Sequence, residues 1–255
     1  MNILAYYAHP DDETMLMGGT LALLIELGAR VTHLCATRGE GGERGEPPIC
    51  RRAELGRVRT TELECAVRAL GGGDLIFLDY IDPLVGEGEA LFAFSDDLDR
   101  LTSEVRQTIY QVKPAAVLTH GSNGEYGHPA HLLCHRSALA AVAGMGVDAP
   151  LLYTIQAAFP GHPKPRVRND DDRAHLVLDV SRVLERKTAA ALCHRSQHAL
   201  FVRRASQEAG RALSVPEVIQ PVESLCRRLP ECEGAPDDAL ARLLLGSGCA
   251  RENLV

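Results

Sequence analysis

Short apolar runs alternate with longer amphipathic stretches along this chain, and each apolar run stops at a cluster of polar residues. Asn2 to Ala8 is rich in strand-compatible residues and ends at His9-Pro10, where the proline cannot continue a ladder. Met15, Leu16, Leu21, Leu24, Ile25 and Leu27 then recur at helical spacing after Thr14, until Gly28 closes the element. Arg30 to Ala36 is a second strand, and a strand, a crossing helix and another strand favour a parallel pair. The plan repeats. Arg51 to Leu70 reads as a helix ending at Gly71-Gly72-Gly73, Asp74 to Leu78 as a strand, Asp96 to Val112 as a helix, Ala115 to Thr119 as a strand and Pro129 to Ala143 as a helix. An α/β fold with a mostly parallel sheet follows.

Leu151 to Ala157 and His175 to Val180 read as later strands, with Ser181 capping a helix to about His194. The last forty or so residues hold helical stretches around Pro216 to Arg228 and Asp237 to Leu245. We therefore expect residues 1–200 to form the main body and 201–255 a helical C-terminal extension of the same domain.

Composition narrows the function. Apolar residues at 45% and charged residues at 24% are ordinary for a globular protein and exclude disordered and fibrous classes. Lys plus Arg number 27 against 34 Asp plus Glu, and the net charge of -7 opposes a nucleic-acid partner or an anionic membrane surface. With 4% aromatic residues and no Trp, a base-stacking platform is excluded too. No apolar run approaches the roughly 20 residues of a membrane span, and Ile3 to Ala8 is too short, and lacks the basic flank, for a signal peptide. A cytoplasmic protein acting on a small molecule is expected. The eight cysteines are scattered without a Cys-x-x-Cys pair, which speaks against a disulfide scaffold or a thiolate zinc site and for small buried hydrophobes.

In an open parallel sheet the ligand sits outside the carboxyl ends of the strands. Here those ends carry His9-Pro10-Asp11-Asp12-Glu13, then Thr37-Arg38-Gly39-Glu40, then Asp79 and Asp82, then His120 and Glu125 to His131. An imidazole and a carboxylate three residues apart, with one distant His, supply three ligands and an open position, as hydrolytic zinc needs. Asp11 would then stand beside the metal without binding it, placed to take a proton from water as it attacks a carbonyl. Blander readings exist for each part. Asp11-Asp12 would serve equally as a helix cap with an acidic first turn. His131 and His135 form an i, i+4 pair able to clamp metal, although Leu132 stands where the metalloprotease pattern needs Glu. His128 alone is an ordinary turn residue. The glycines at 39, 41, 42 and 45 lack a phosphate-loop pattern and lie among Glu40, Glu43 and Glu46, so a substrate-rim loop is the better reading.

Ala8-His9-Pro10-Asp11-Asp12-Glu13 and Tyr126-Gly127-His128-Pro129-Ala130-His131 resemble the two metal motifs of the LmbE-like or PIG-L family of zinc-dependent N-deacetylases. Thr37-Arg38-Gly39-Glu40, Arg59-Thr60-Thr61-Glu62-Leu63, Leu70-Gly71, Lys187 and His194-Arg195-Ser196-Gln197 are similar in order, so the resemblance spans roughly residues 1–200. It implies a Rossmann-like fold and removal of the N-acetyl group from an N-acetylglucosamine conjugate of inositol, malate or another aglycone. It also implies His9, Asp12 and His131 as zinc ligands, Asp11 as general base, His128 as oxyanion stabiliser, Tyr126 as a mobile active-site group, and Arg59 and Asp82 as holders of sugar hydroxyls. Ferrous iron is an alternative metal, because an N/O ligand set discriminates weakly. Self-association is a further family expectation. Many members carry Asp at the position of Ala130, where it pairs with the preceding His; either Glu125 or Asp82 replaces it here, or His128 is less protonated. The competing functions are a zinc amidase acting on another acylated aminosugar or thiol-conjugate amide, and a sugar or nucleotide binding module without turnover.

Overall fold

The computed structural model describes residues 1–252. Along the chain run β1 (Asn2–Tyr7), α1 (Asp12–Glu26), β2 (Arg30–Thr37), α2 (Leu55–Leu70), β3 (Asp74–Tyr80), α3 (Leu98–Val112), β4 (Ala116–Thr119), the single turn α4 (Gly124–Gly127), α5 (Pro129–Ala143) and β5 (Leu151–Ile155). They are followed by β6 (Ala157–Ala158), β7 (Asn169–Arg173), β8 (Leu176–Asp179), α6 (Leu184–Cys193), α7 (His198–Ala209), α8 (Val215–Val218), β9 (Val222–Leu229), α9 (Ala239–Gly246) and β10 (Ala250–Glu252). Eight strands form one sheet in the order β10-β8-β9-β5-β4-β1-β2-β3. The five strands from β3 to β5 are parallel, while β9 runs antiparallel to both β5 and β8. No described helix is long and apolar enough to cross a membrane.

Helices cover both faces, which is why β1 is buried almost throughout instead of alternating. Ile3, Ala5 and Tyr7 pack with α1, α2, α6 and α9, whereas Leu4, Tyr6 and Ala8 pack on the other face with α3 and α5. The alternation read from the sequence is thus the architecture.

The C-terminal quarter departs from that reading. Residues 216–228, expected to be helical, give only the turn α8 before the chain extends into β9, and the 201–255 extension supplies two strands of the main sheet beside its helices. Val218, Val222 and Leu225 are spaced i, i+4, i+7, a pattern that mimics a helical stripe. The strand is decided by tertiary contacts: Glu223 is buried and receives Lys187 Nζ at 2.7 Å, the Thr20 hydroxyl at 2.5 Å and the amides of Gly19 and Thr20 at 2.8 and 2.7 Å. A second departure is the bridge between Cys65 on α2 and Cys193 on α6, whose Cα atoms lie 5.7 Å apart. A separation of 128 residues conceals the packing of those two helices. Cys35, Cys134 and Cys226 are free and buried as expected.

Gly19 marks where α1 meets the chain after β8. A Cβ there would sit 2.4 Å from Val180 Cγ2. Gly19→Ala should therefore destabilise by about 1–3 kcal/mol in urea unfolding, despite the gain of about 1 kcal/mol that alanine brings to an unpacked helix site. Combining it with Val180→Ala should recover part of the loss; a stabilised single variant would show that the helix has room.

Candidate functional site

The polar residues that follow the parallel strands meet at one edge of the sheet. Asp11 takes the N-cap position of α1 with φ 119°, a left-handed conformation costing on the order of 1–3 kcal/mol for a residue with a side chain. Its carboxylate does not cap; the backbone carbonyl accepts from Thr14 and Met15 instead. The capping explanation of Asp11 is thereby set aside. Asp12 Oδ2 accepts the His9 amide at 2.8 Å, which locks the tight turn between β1 and α1.

His131, in the first turn of α5, has its Nδ1 2.7 Å from Glu125 Oε2, while its buried Nε2 has no hydrogen-bond partner among the described residues and lies 3.3 Å from Asp12 Oδ1. His9 Nδ1 is likewise 3.3 Å from Asp12 Oδ2. Two ligand atoms about 2 Å from one ion at a tetrahedral angle would be roughly this far apart. Ligand atoms of His9, His128 and His131 lie within 4.8 Å of one another, as do those of Asp12, His120 and His131. An orphaned imidazole nitrogen, a facing carboxylate and a carboxylate behind the ring fit a divalent cation with N/O ligands. His131 belongs to both groups, whereas His9 and Asp12, each expected beside it, fall in different ones and meet through the 3.3 Å contact between them. His135 does not join them: it is buried with Nδ1 3.0 Å from the His120 carbonyl, so the i, i+4 clamp is not assembled.

His120 belongs to the cluster but was not singled out among the expected ligands. It is fully buried, with Nδ1 2.9 Å from Glu125 Oε2 and Nε2 accepting the Ala8 amide at 3.1 Å. Its place at the end of β4 was the available signal. Burial opposes ionisation of Glu125, yet His120 and His131 outweigh it and hold its carboxyl down at about 2. Burial likewise opposes the charged form of His120, which Glu125 and Asp12 favour, lifting its pKa to about 9; the Ala8 amide, needing a lone pair on Nε2, works the other way. A cation held here would displace the second proton from such rings.

Asp11 stands outside both ligand groups. Arg59 Nη2 donates to Asp11 Oδ2 at 3.0 Å and also to the Pro10 carbonyl, and Nη1 reaches the Gly39 carbonyl at 3.1 Å. The Asp11 amide donates to Glu13 Oε2 at 2.8 Å, and Glu13 Oε1 receives His194 Nε2 at the same distance. Burial raises the Asp11 carboxyl to about 6, with Arg59 pulling the other way. Arg59 is only 3% exposed and stands behind Asp11, with three of its hydrogen bonds spent on the protein. Asp82 comes within 3.3 Å of His9 Nε2 through Oδ1 and accepts the Gly41 amide at 3.2 Å through Oδ2. Both residues reach the site, where each is already engaged.

The partner expected for His128 is neither Glu125 nor Asp82. His128 is the N-cap of α5, its Nδ1 accepting the Ala130 amide at 3.2 Å. Burial, with His131 and His9 nearby, lowers its pKa to about 3. The neutral ring must then carry its proton on Nε2. Tyr126 is 56% exposed and lies edge-on to His128 and His131 at centroid distances of 5.7 and 5.6 Å.

The family described as PIG-L, GlcNAc-PI de-N-acetylase, matches residues 4–142, more than half of the 255. The chain belongs to the PIG-L family. A 1D-myo-inositol 2-acetamido-2-deoxy-alpha-D-glucopyranoside deacetylase of Thermobifida fusca (strain YX) is 36% identical over 154 residues, 55% of this chain and 54% of that protein. The protein of the same name from Streptomyces griseus subsp. griseus is 32% identical over 241 residues, covering 78% of this chain and 75% of its own. The match therefore spans about half the length of the first relative and three quarters of the second. Among solved structures, the 4-carboxy-2-hydroxymuconate hydratase from Pseudomonas putida KT2440 superposes with a TM-score of 0.62 at 22% identity, covering 92% of this chain and 99% of that one. That likeness concerns the fold alone, and for a PIG-L chain the chemistry must be argued from the side chains.

Glu125 orients two rings of this PIG-L site at once. Glu125→Ala should weaken metal affinity by about 10- to 100-fold in chelator competition. Unchanged affinity would remove Glu125 from the support of the ligands.

Proposed function

We propose that this chain is a metal-dependent N-deacetylase that hydrolyses the acetamide of an N-acetylglucosamine-containing conjugate, releasing acetate and a free amine, with zinc as the metal and His9, Asp12 and His131 as its ligands. The observation that carries this reading is the Asp11 carboxylate, fixed by Arg59 beside the ligand residues yet bonded to none of them. Family membership and the printed names of the relatives support the substrate class.

Bound zinc supplies Lewis acidity, lowering the pKa of water towards about 7 and polarising a carbonyl. The chain's own residues do the rest. Asp11 takes the proton of the attacking water and holds it for the departing amine nitrogen. His128, with Nδ1 committed to the Ala130 amide, offers its Nε2–H to the oxygen of the amide as negative charge develops there. That role needs no imidazolium and so no carboxylate at position 130. Arg59 acts through Asp11 and Asp82 through His9, as positioning residues. Tyr126, exposed at the rim, closes over the substrate.

Metal content should be about one zinc per chain, and amine release from a panel of N-acetylglucosamine conjugates should disappear with chelator and return with zinc. Asp11→Ala should keep the metal and lose turnover by about 10²- to 10⁴-fold. His131→Ala should lose the metal itself. For His128→Ala, turnover should drop about 10²- to 10³-fold with little change in metal content. Near-normal efficiency in Asp11→Ala would remove it as the base, and equal metal loss in His128→Ala would make that residue a ligand.

A further inference from the structure

Asp11 keeps its strained left-handed backbone only because its surroundings hold it there. The angle is set by the plane of the Pro10–Asp11 peptide, and a peptide plane is rigid. Both of its ends are gripped: the Pro10 carbonyl accepts from Arg59 Nη2, and the Asp11 amide donates to Glu13 Oε2 at 2.8 Å. Turning φ to an ordinary value would break both contacts and swing the Asp11 side chain relative to β1 and His9. The place of the base therefore depends on what fixes the carboxylate of Glu13.

Glu13 is fully buried and needs donors of its own. Its Oε1 receives the Thr14 hydroxyl and, at 2.8 Å, His194 Nε2. Thr14 moves with the same helical turn, whereas His194 arrives from 181 residues further along the chain. The imidazole is fully buried too, and its Nδ1 has no hydrogen-bond partner among the described residues. A side chain that merely filled this space would be apolar, since an unsatisfied buried nitrogen destabilises the fold. The frame behind His194 also delivers Arg59. Cys193, one residue before it, is bridged to Cys65 on α2, and Ser196, two residues after it, donates its amide and hydroxyl to Glu62 on α2 at 2.7 and 2.6 Å. Arg59 lies on that helix one turn before Glu62. Thus α2 keeps the two grips on the Pro10–Asp11 peptide in register, one directly and one through His194 and Glu13.

We propose that His194 is a positioning residue for the hydrolysis: acting through Glu13, it holds the peptide that fixes Asp11 and so keeps the carboxylate of the base beside the metal ligands and out of their set. The inference rests on the deacetylase reading above, with Asp11 as its base. It gives the buried pair behind the site a part in turnover that is separate from metal binding.

The test compares two amide replacements of similar size. In His194→Gln the side-chain amide can take the place of the imidazole Nε2 and donate to Glu13, whereas in His194→Asn the shorter side chain leaves its amide at the level of Nδ1. Amine release from an N-acetylglucosamine conjugate is measured per bound metal, so that unfolded or empty chains drop out of the comparison. His194→Asn should lower kcat about 10- to 100-fold with KM and metal content close to wild type, and His194→Gln should keep most of the rate. In an Asp11→Ala background His194→Asn should bring no further loss, because a residue that works only through the base then has nothing to position. Equal loss in the two variants, unchanged kcat in His194→Asn, or a further loss of the same size in the Asp11→Ala background overturns the inference and leaves the deacetylase reading standing. Where His194→Asn does not fold, the Gln variant decides: kcat near wild type supports the inference, and a loss of about tenfold or more with metal bound overturns it. Near-normal turnover of Asp11→Ala overturns the reading of the base and the inference together.

Discussion

Oε2 of Glu125 meets the Nδ1 atoms of both His120 and His131, at 2.9 and 2.7 Å, in a place where none of the three side chains is more than 1% exposed. A buried carboxylate requires donors, and the two rings supply them together with the Gly121 amide on Oε1 at 2.8 Å. Because Nδ1 of each ring is committed, Nε2 of each faces away from Glu125: that of His131 lies 3.3 Å from Asp12, and that of His120, 3.5 Å from Asp12, accepts the Ala8 amide. The left-handed turn at Glu125, φ 60°, and the Asn123 side chain that accepts its amide at 2.8 Å exist to bring this one carboxylate inward. The open face of the ligand set follows from that arrangement.

A second set of buried interactions holds the other half of the site. Lys187 and Glu223 pair at 2.7 Å with each side chain 2% exposed, and Glu223 also grips α1 at Gly19 and Thr20. Glu62 on α2 receives the Ser196 amide and hydroxyl at 2.7 and 2.6 Å, while His194 bonds Glu13 next to Asp12. The bridge from Cys65 to Cys193 ties α2 to α6, the helix that carries Lys187. Removing one partner of such a buried pair strands the other, which is why these contacts work as a frame: α1 and α2 carry Asp12 and Arg59, and neither helix can shift without breaking several bonds.

Most of the architecture was legible because strand and helix periods differ and five parallel strands repeat one pattern. That the polar clusters around His9 and His131 share an edge was legible because strand-end residues of a parallel sheet meet there whatever their separation in sequence, while the choice of His131 within its cluster rested on the family resemblance. What the pattern hid was decided by partners. Arg59 and Asp82, expected at sugar hydroxyls, contact Asp11 and His9, pairings visible only once the helix and loop are placed. Nothing in the sequence around His128 signals that its Nδ1 accepts the backbone amide of Ala130, the opposite polarity to the carboxylate many family members place there. The motif Lys187 to Gln197, weak as a signature, turns out to brace α1 and α2 from behind. At β9 the apolar spacing favoured a helix and the buried Glu223 reversed it.

The position of β9 also sets an order of assembly. Residues 222–229 lie between β5 and β8, so the facing hydrogen-bonding edges of both strands stay open until β9 is placed. A parallel sheet from β3 to β5 can gather earlier from contacts already made, but it would present an unpaired border in the meantime. β9 is the segment that pairs with both strands, and with it come the carboxylate for Lys187 and the grip on α1. The placement of α1, whose first turn carries Asp12, thereby depends on a strand more than 200 residues away in sequence.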